Sequence, residues 1–361
     1  MVLTLDVRAT CDNGRSAYAS GVELSFLHPD WLTRDYPNVA SVIRFLLEQT
    51  GSEQRESCIR SLYNALGHQD YRTDESLDPA MRMQLTEQLP AMRRQAFSRL
   101  NDALADVTLH KRSELKGKDA DSQPACLAVS DNKGVRIYLS YVGMDDMMTI
   151  LLHESGHALD DVTANKDGAA ASRTTMGDLD ESIVADGKRY ISRAAQQAYI
   201  CYMEKAKDAL RMNPDDEISD AAVLKGLSET IFRDMTKELG RDVKAQDIET
   251  ILTKTAAYWY DGSVELTDAE AAFAQAINAA LVLNGGKAYD VLSAVTDKRM
   301  LGESGHDAAY WAADSTRKAQ KLWGHFFSAV CRGDGKELQL IHDMFPQAFD
   351  IMCAQLQSMG W

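Results

Sequence analysis

His153, Glu154 and His157 fall within the segment LLHESGHALDD, residues 151–161. Residues four apart on an α-helix lie one above the other on the same face. Both imidazoles can therefore point at one ion, with Glu154 near enough to reach a water held there. Two neutral imidazoles and a carboxylate base in about one and a half turns suit metal-assisted hydrolysis. Zinc at such a site acts as a Lewis acid and makes water acidic enough to use near neutral pH. The glutamate takes the proton and the oxygen attacks a carbonyl.

The flanking sequence has to build that helix and hold it. MDDMMTILLHESGHALDDV (144–162) is strongly helical, and its early aspartates suit a helix N-terminus. Leu151, Leu152, Ala158 and Leu159 give it buried faces, and Gly156 permits close packing beside the ion. ACLAVSD and GVRIYLS, joined by the turn DNKG, predict a β-hairpin or two neighbouring strands over 125–141. The strand around 134–140 reads as an edge that would align a peptide by strand addition. Residues 111–124 and the small-residue run TANKDGAAASRTT read as loops.

Elsewhere the pattern is helical. Residues 1–30 are irregular, and helical periodicity begins near 36 and recurs over 52–67. A long helical stretch covers 78–108, broken or kinked near Pro90. Past 178, helices are expected near 178–211, 218–240, 244–260, 266–284, 287–298, 307–332 and 335–357. The expected fold class is α+β, mostly α-helical, with a small β-sheet before the motif helix and a helical C-terminal subdomain. Two domains are expected, a helical region 1–110 for docking or translocation and a catalytic region 111–361.

Of the 361 residues, 45% are hydrophobic and 26% charged, as in ordinary globular proteins. The net charge of −15 repels phosphates, which argues against nucleic acid or an anionic membrane as partner. HKRSELKGK (110–118) is the densest basic run and reads as a solvated loop. No apolar run reaches the roughly 18 residues of a transmembrane helix, and the N-terminus lacks the pattern of a classical signal peptide. The six cysteines are scattered, without a CxxC pair, as for reduced thiols rather than a disulfide framework or a Cys-based zinc site.

Over residues 125–190 the chain resembles the zincin metallopeptidases, and HESGHAL is similar to the HExGH form of gluzincins. That resemblance implies bound Zn2+ and a glutamate third ligand on a following helix. In angiotensin-converting-enzyme-like and thimet-oligopeptidase-like members it lies about two dozen residues past the second histidine. Glu181 lies 24 past His157 (181 − 157) and is the first choice. The chain departs from the thermolysin-like pattern, which has an aspartate four past the ligand: here stands Ala185, with Asp186 one place late. The metzincin pattern would need glycine at 160 and histidine at 163, where Asp160 and Thr163 stand. Asp160, Asp161, Asp178 and Asp180 remain open as carboxylate ligands.

The stretch RKAQKLWGHFFSAV with GDGKELQLIHDMFPQAFDIM resembles the C-terminal helices of toxin-type, lethal-factor-like zincins. There a glutamate before an aromatic-rich helix binds the metal, but Gln320 and Lys321 stand in the corresponding places. His325 is then a further ligand choice, and Trp323, Phe326 and Phe327 read as core. The resemblance also implies an oxyanion donor. GESGHDAAYW offers His306 and Tyr310 for it, with Tyr190 weaker.

The sequence is therefore expected to encode a zinc-dependent metalloendopeptidase acting on a protein or peptide substrate. His153, His157 and Glu181 would bind zinc, with Glu154 the base and His306 or Tyr310 the oxyanion donor. The absent signal and toxin-like C-terminus fit a bacterial effector made in the cytoplasm and exported into a host or target cell, with a secretion chaperone as partner. The alternative is a non-catalytic helical adaptor or degenerate zincin acting by protein binding.

Overall fold

The computed structural model describes residues 5–10, 16–22, 34–49, 79–105, 107–111, 126–131, 134–139, 149, 152–157, 159–160, 170–213, 218–284, 287–300 and 306–358. By packing, the chain divides into two compact units. One comprises Met1–Thr175, Trp323–Gln339 and Met352–Trp361; the other comprises Met176–Leu322 and Leu340–Ile351.

In the first unit, β1 (Leu5–Thr10) and β2 (Ser16–Val22) pair antiparallel, where the sequence suggested irregular chain. Helices α1 (Pro37–Gln49) and α2 (Pro79–Leu104) follow. Asn38 ties them together. Its backbone N–H donates to Asn101 Oδ1 (2.8 Å) and its amide donates to Asn101 O (2.8 Å). Against expectation, α2 runs unbroken through Pro90. Proline removes one backbone hydrogen bond, but the rest of the ladder remains, and Met92, Arg93, Ala96, Phe97 and Leu100 beyond it are buried. The helix expected over 52–67 lies outside the described residues.

Three short strands come next: β3 (Val107–Lys111), β4 (Cys126–Asp131) and β5 (Gly134–Leu139), in the order β3-β5-β4. β5 pairs parallel with β3 and antiparallel with β4. The strand expected to take an added peptide is thus the central one. Both hydrogen-bonding sides of Val135–Leu139 are occupied, so the peptide addition expected over 134–140 is ruled out there.

The α+β fold class is corrected as well. From Ala170 to Ser358 the described residues form helices and connections only, with no strand or sheet. Tyr138 is the one strand side chain in the described core; helices and their connections supply the rest. Among the described residues, the core is therefore not organised on a sheet as a zincin-like core would be. Its apolar surface is buried by helix on helix, and the fold is mainly α.

The later helices are α3 (Ala170–Ala209), α4 (Asp220–Leu227), α5 (Glu229–Leu239), α6 (Ala245–Asp261), α7 (Asp268–Asn284) and α8 (Tyr289–Val295). They continue with α9 (Ala308–Ala312), α10 (Arg317–Arg332), α11 (Gly335–Met344) and α12 (Pro346–Ser358). Three stretches expected as single helices are divided, each by a local signal. Ser228 closes α4 through its N–H to Leu224 O (2.9 Å) and opens α5 by accepting from Ile231 N (3.4 Å). Asp314 accepts from the Thr316 N–H (2.8 Å) between α9 and α10. Pro346 opens α12, the helix position where a missing N–H costs nothing. Within the second unit, buried Asp186 of α3 accepts from Ala348 N at the start of α12 (3.0 Å) and from Arg189. Among the described residues no helix is long and apolar enough to cross a membrane.

Candidate metal centre

The motif is helical at 152–157 and again at 159 and 160. Leu152, Ser155, Gly156 and Leu159 are buried, while Glu154 and His157 are half-buried. His153 is 6% exposed, so its imidazole is almost wholly out of water. Ligating atoms of His153, Glu154 and His157 all lie within 4.8 Å of one another, and this is the group of metal-ligating side chains found among the described residues.

The two Nε2 atoms face each other at 3.1 Å. The rings meet almost at right angles (89°), with centroids 4.6 Å apart. Two nitrogens on one tetrahedral zinc at about 2.05 Å would stand about 3.3 Å apart. The observed separation is close to that, and the carboxylate belongs to the same cluster. A shared N–H between two neutral imidazoles would explain the distance alone, but it would give the adjacent glutamate no role. The donor set fits a metal ion.

The part of helix α10 from Trp323 on lies in the same unit and supports this segment. Trp323 Nε1–H donates to Gly156 O (3.0 Å) and Ser328 Oγ donates to Thr149 O (3.1 Å). A Cβ added at Gly156 would meet Phe327 at 3.1 Å. One added at Gly324 would stand 2.6 Å from His153 Cε1, 2.7 Å from Nδ1 and 2.9 Å from Nε2. The imidazole therefore lies directly on the α10 backbone, and no side chain fits there. His325 packs on the same ring, with centroids 4.5 Å apart and planes inclined at 51°. Trp323, Phe326 and Phe327 are fully buried, as their apolar pattern implied.

The ligating group does not include the other site residues inferred from sequence. Glu181 is exposed on α3 in the second unit and does not belong to the ligating group. Asp178 is exposed on the same helix. Asp180 pairs with Lys318 Nζ (3.5 Å); burial pushes its carboxyl up, and the ammonium only partly offsets this. Asp160 is buried beyond the motif, and Asp161 lies outside the described residues.

His306 and Tyr310 do come together, in the second unit, with ring centroids 4.1 Å apart. Their setting includes two residues that the sequence did not single out. His306 Nδ1–H donates to buried Asp290 Oδ2 (2.8 Å). The Arg317 guanidinium lies 4.3 Å from the Tyr310 ring centroid and donates to Tyr310 O (2.6 Å). With Nδ1–H committed to a carboxylate, a neutral His306 presents Nε2 as an acceptor, and it becomes a second donor only as an imidazolium. A neutral Tyr310 hydroxyl can donate as it stands. Tyr190 is half-buried on α3, where burial raises its hydroxyl to about 12.

Gly324 is the positioning residue that the sequence reading missed. Its signal was present: a glycine inside an aromatic helical run, LWGHFF, marks a close approach. Among the described residues no cysteine belongs to the ligating group, and burial pushes the Cys331 thiol up to about 12. Comparison with protein-family models, with curated proteins and with solved structures found no match.

Proposed function

We propose that the chain is a zinc-dependent hydrolase that cleaves peptide bonds in a protein substrate. One observation carries this: the Nε2 atoms of His153 and His157 converge at 3.1 Å with a Glu154 ligating atom in the same cluster. His153 and His157 would hold the ion. When bound, zinc supplies Lewis acidity and lowers the pKa of its water to about 7. The Glu154 carboxylate then takes one proton from the attacking water and returns it to the leaving amine. The carbonyl carbon gains an oxygen and loses the nitrogen, and Glu154 ends as it began.

Glu154→Gln separates hydrolase from adaptor. A peptide library digested by wild type and variant, read by mass spectrometry, should show cleavage lost by about 10²–10⁴-fold with metal content unchanged. Cleavage equal in both proteins, or absent from metal-loaded wild type across the library, would favour the non-catalytic adaptor. Glu181→Ala tests the third-ligand assignment in the same preparation.

A further inference from the structure

We infer that His325 is a positioning residue for the metal site. It holds His153 in its ligating orientation without itself being a ligand. This rests on the metal-site reading above. His153 Nε2 is the atom turned toward His157, so it is the ligating nitrogen. The Cε1–Nδ1 edge of the ring lies against the Gly324 backbone, since a Cβ there would come within 2.6–2.7 Å of those atoms. His157 meets the ring at 89° and His325 at 51°, with centroids 4.6 and 4.5 Å away. Rotation about the ring's bonds thus runs into a second imidazole or a helix backbone.

His325 is 8% exposed and sits next to Gly324 on α10. The helix surface that leaves room for His153 also supplies the group packed on it. The ligating atoms gathered at the site are those of His153, Glu154 and His157, with His325 outside that group. Groups that orient a metal-bound histidine typically change metal affinity by about 10–100-fold when removed.

The test uses full-length protein and zinc, with affinity measured by competition against a chromophoric chelator and geometry by the visible spectrum of the cobalt-substituted protein. His325→Ala removes the ring packed on His153; His325→Phe keeps an aromatic ring there. The expected result is one ion per chain in all three proteins, a 10–100-fold weaker affinity with an altered cobalt spectrum in His325→Ala, and partial recovery in His325→Phe. Wild-type affinity and spectrum in His325→Ala would make His325 simply core and overturn the inference. Complete loss of the ion in both variants, matching His153→Ala, would overturn it by making His325 a ligand. A His325→Ala protein that fails to fold leaves the decision to His325→Val and His325→Leu, where affinity unchanged in both overturns the inference. Wild type that takes up no zinc removes the metal-site reading and this inference with it, an outcome visible before any variant is compared.

Discussion

Gly324→Ala is the sharpest perturbation of the site, because one added methyl meets the ring of a proposed ligand. The new Cβ would stand 2.6, 2.7 and 2.9 Å from three His153 ring atoms. Ordinary contacts between such atoms are about 3.5–4.0 Å, so ring and helix must separate by about 1 Å. Ligand distances in metal sites hold to about 0.2 Å, and a misplacement of about 1 Å can cost about 100-fold in a positioned site. The expected effect is therefore about 100-fold weaker zinc binding. Overpacking costs about 1–3 kcal/mol, while alanine gains about 1 kcal/mol over glycine in a helix, so the net destabilisation should be about 0–2 kcal/mol. Gly156→Ala is the internal control. Its Cβ would meet Phe327 at 3.1–3.3 Å, which a shift of a few tenths of an ångström relieves, and zinc affinity should stay within about threefold. The assay is chelator competition beside urea unfolding. A Gly324→Ala protein that binds zinc like wild type and unfolds at higher urea would refute the placement of His153 on α10.

Trp323→Phe removes the donor to Gly156 O and should cost about 1–3 kcal/mol by urea unfolding, with an affinity loss smaller than that of Gly324→Ala. Asp186→Ala leaves the Ala348 N–H and Arg189 without their shared acceptor, and should cost about 1–3 kcal/mol in the same measurement. Asp247 provides a pH test remote from the site. Hydrogen bonds from the Arg241 guanidinium, then from the Lys244 N–H, hold its carboxyl at about 2 against an ordinary 3.8. A carboxyl depressed on folding contributes stability that is present above its unfolded pKa and is lost as pH falls through the folded value. Asp247→Asn should therefore flatten the fall in stability between about pH 4 and pH 2, and an unchanged slope there contradicts the pairing.

Local periodicity and spacing carried the part of the site that local geometry builds. The i,i+4 relation alone put His153 and His157 on one face, and Leu152 and Leu159 gave the helix its buried side. Proline and serine signals at Pro346 and Ser228 were legible too, though they divide helices that the periodicity merged. What escaped was non-local. Val107 and Thr108 read as the tail of a helix, and His110 and Lys111 as the start of a loop, because the partner strand lies more than twenty residues on and parallel pairing leaves no turn signature. With β3 in place, β5 became central and lost the substrate edge assigned to it. The Gly324 contact with His153 joins residues 171 apart (324 − 153), so only the odd glycine in an aromatic helix hinted at it. Asp290 looked like one acid among many until the fold set it beside His306. Glu181 was chosen by spacing relative to a family, and no feature of the described metal-ligating cluster includes it.

Metal content is the most direct measurement: zinc per chain by mass spectrometry on wild type, His153→Ala and His157→Ala, each shown folded by circular dichroism. One zinc per chain in the wild type, lost in both variants, is the predicted result. Wild type without zinc after reconstitution, or zinc retained by both folded variants, would contradict a metal centre at the converging imidazoles and leave the motif as a packed helix.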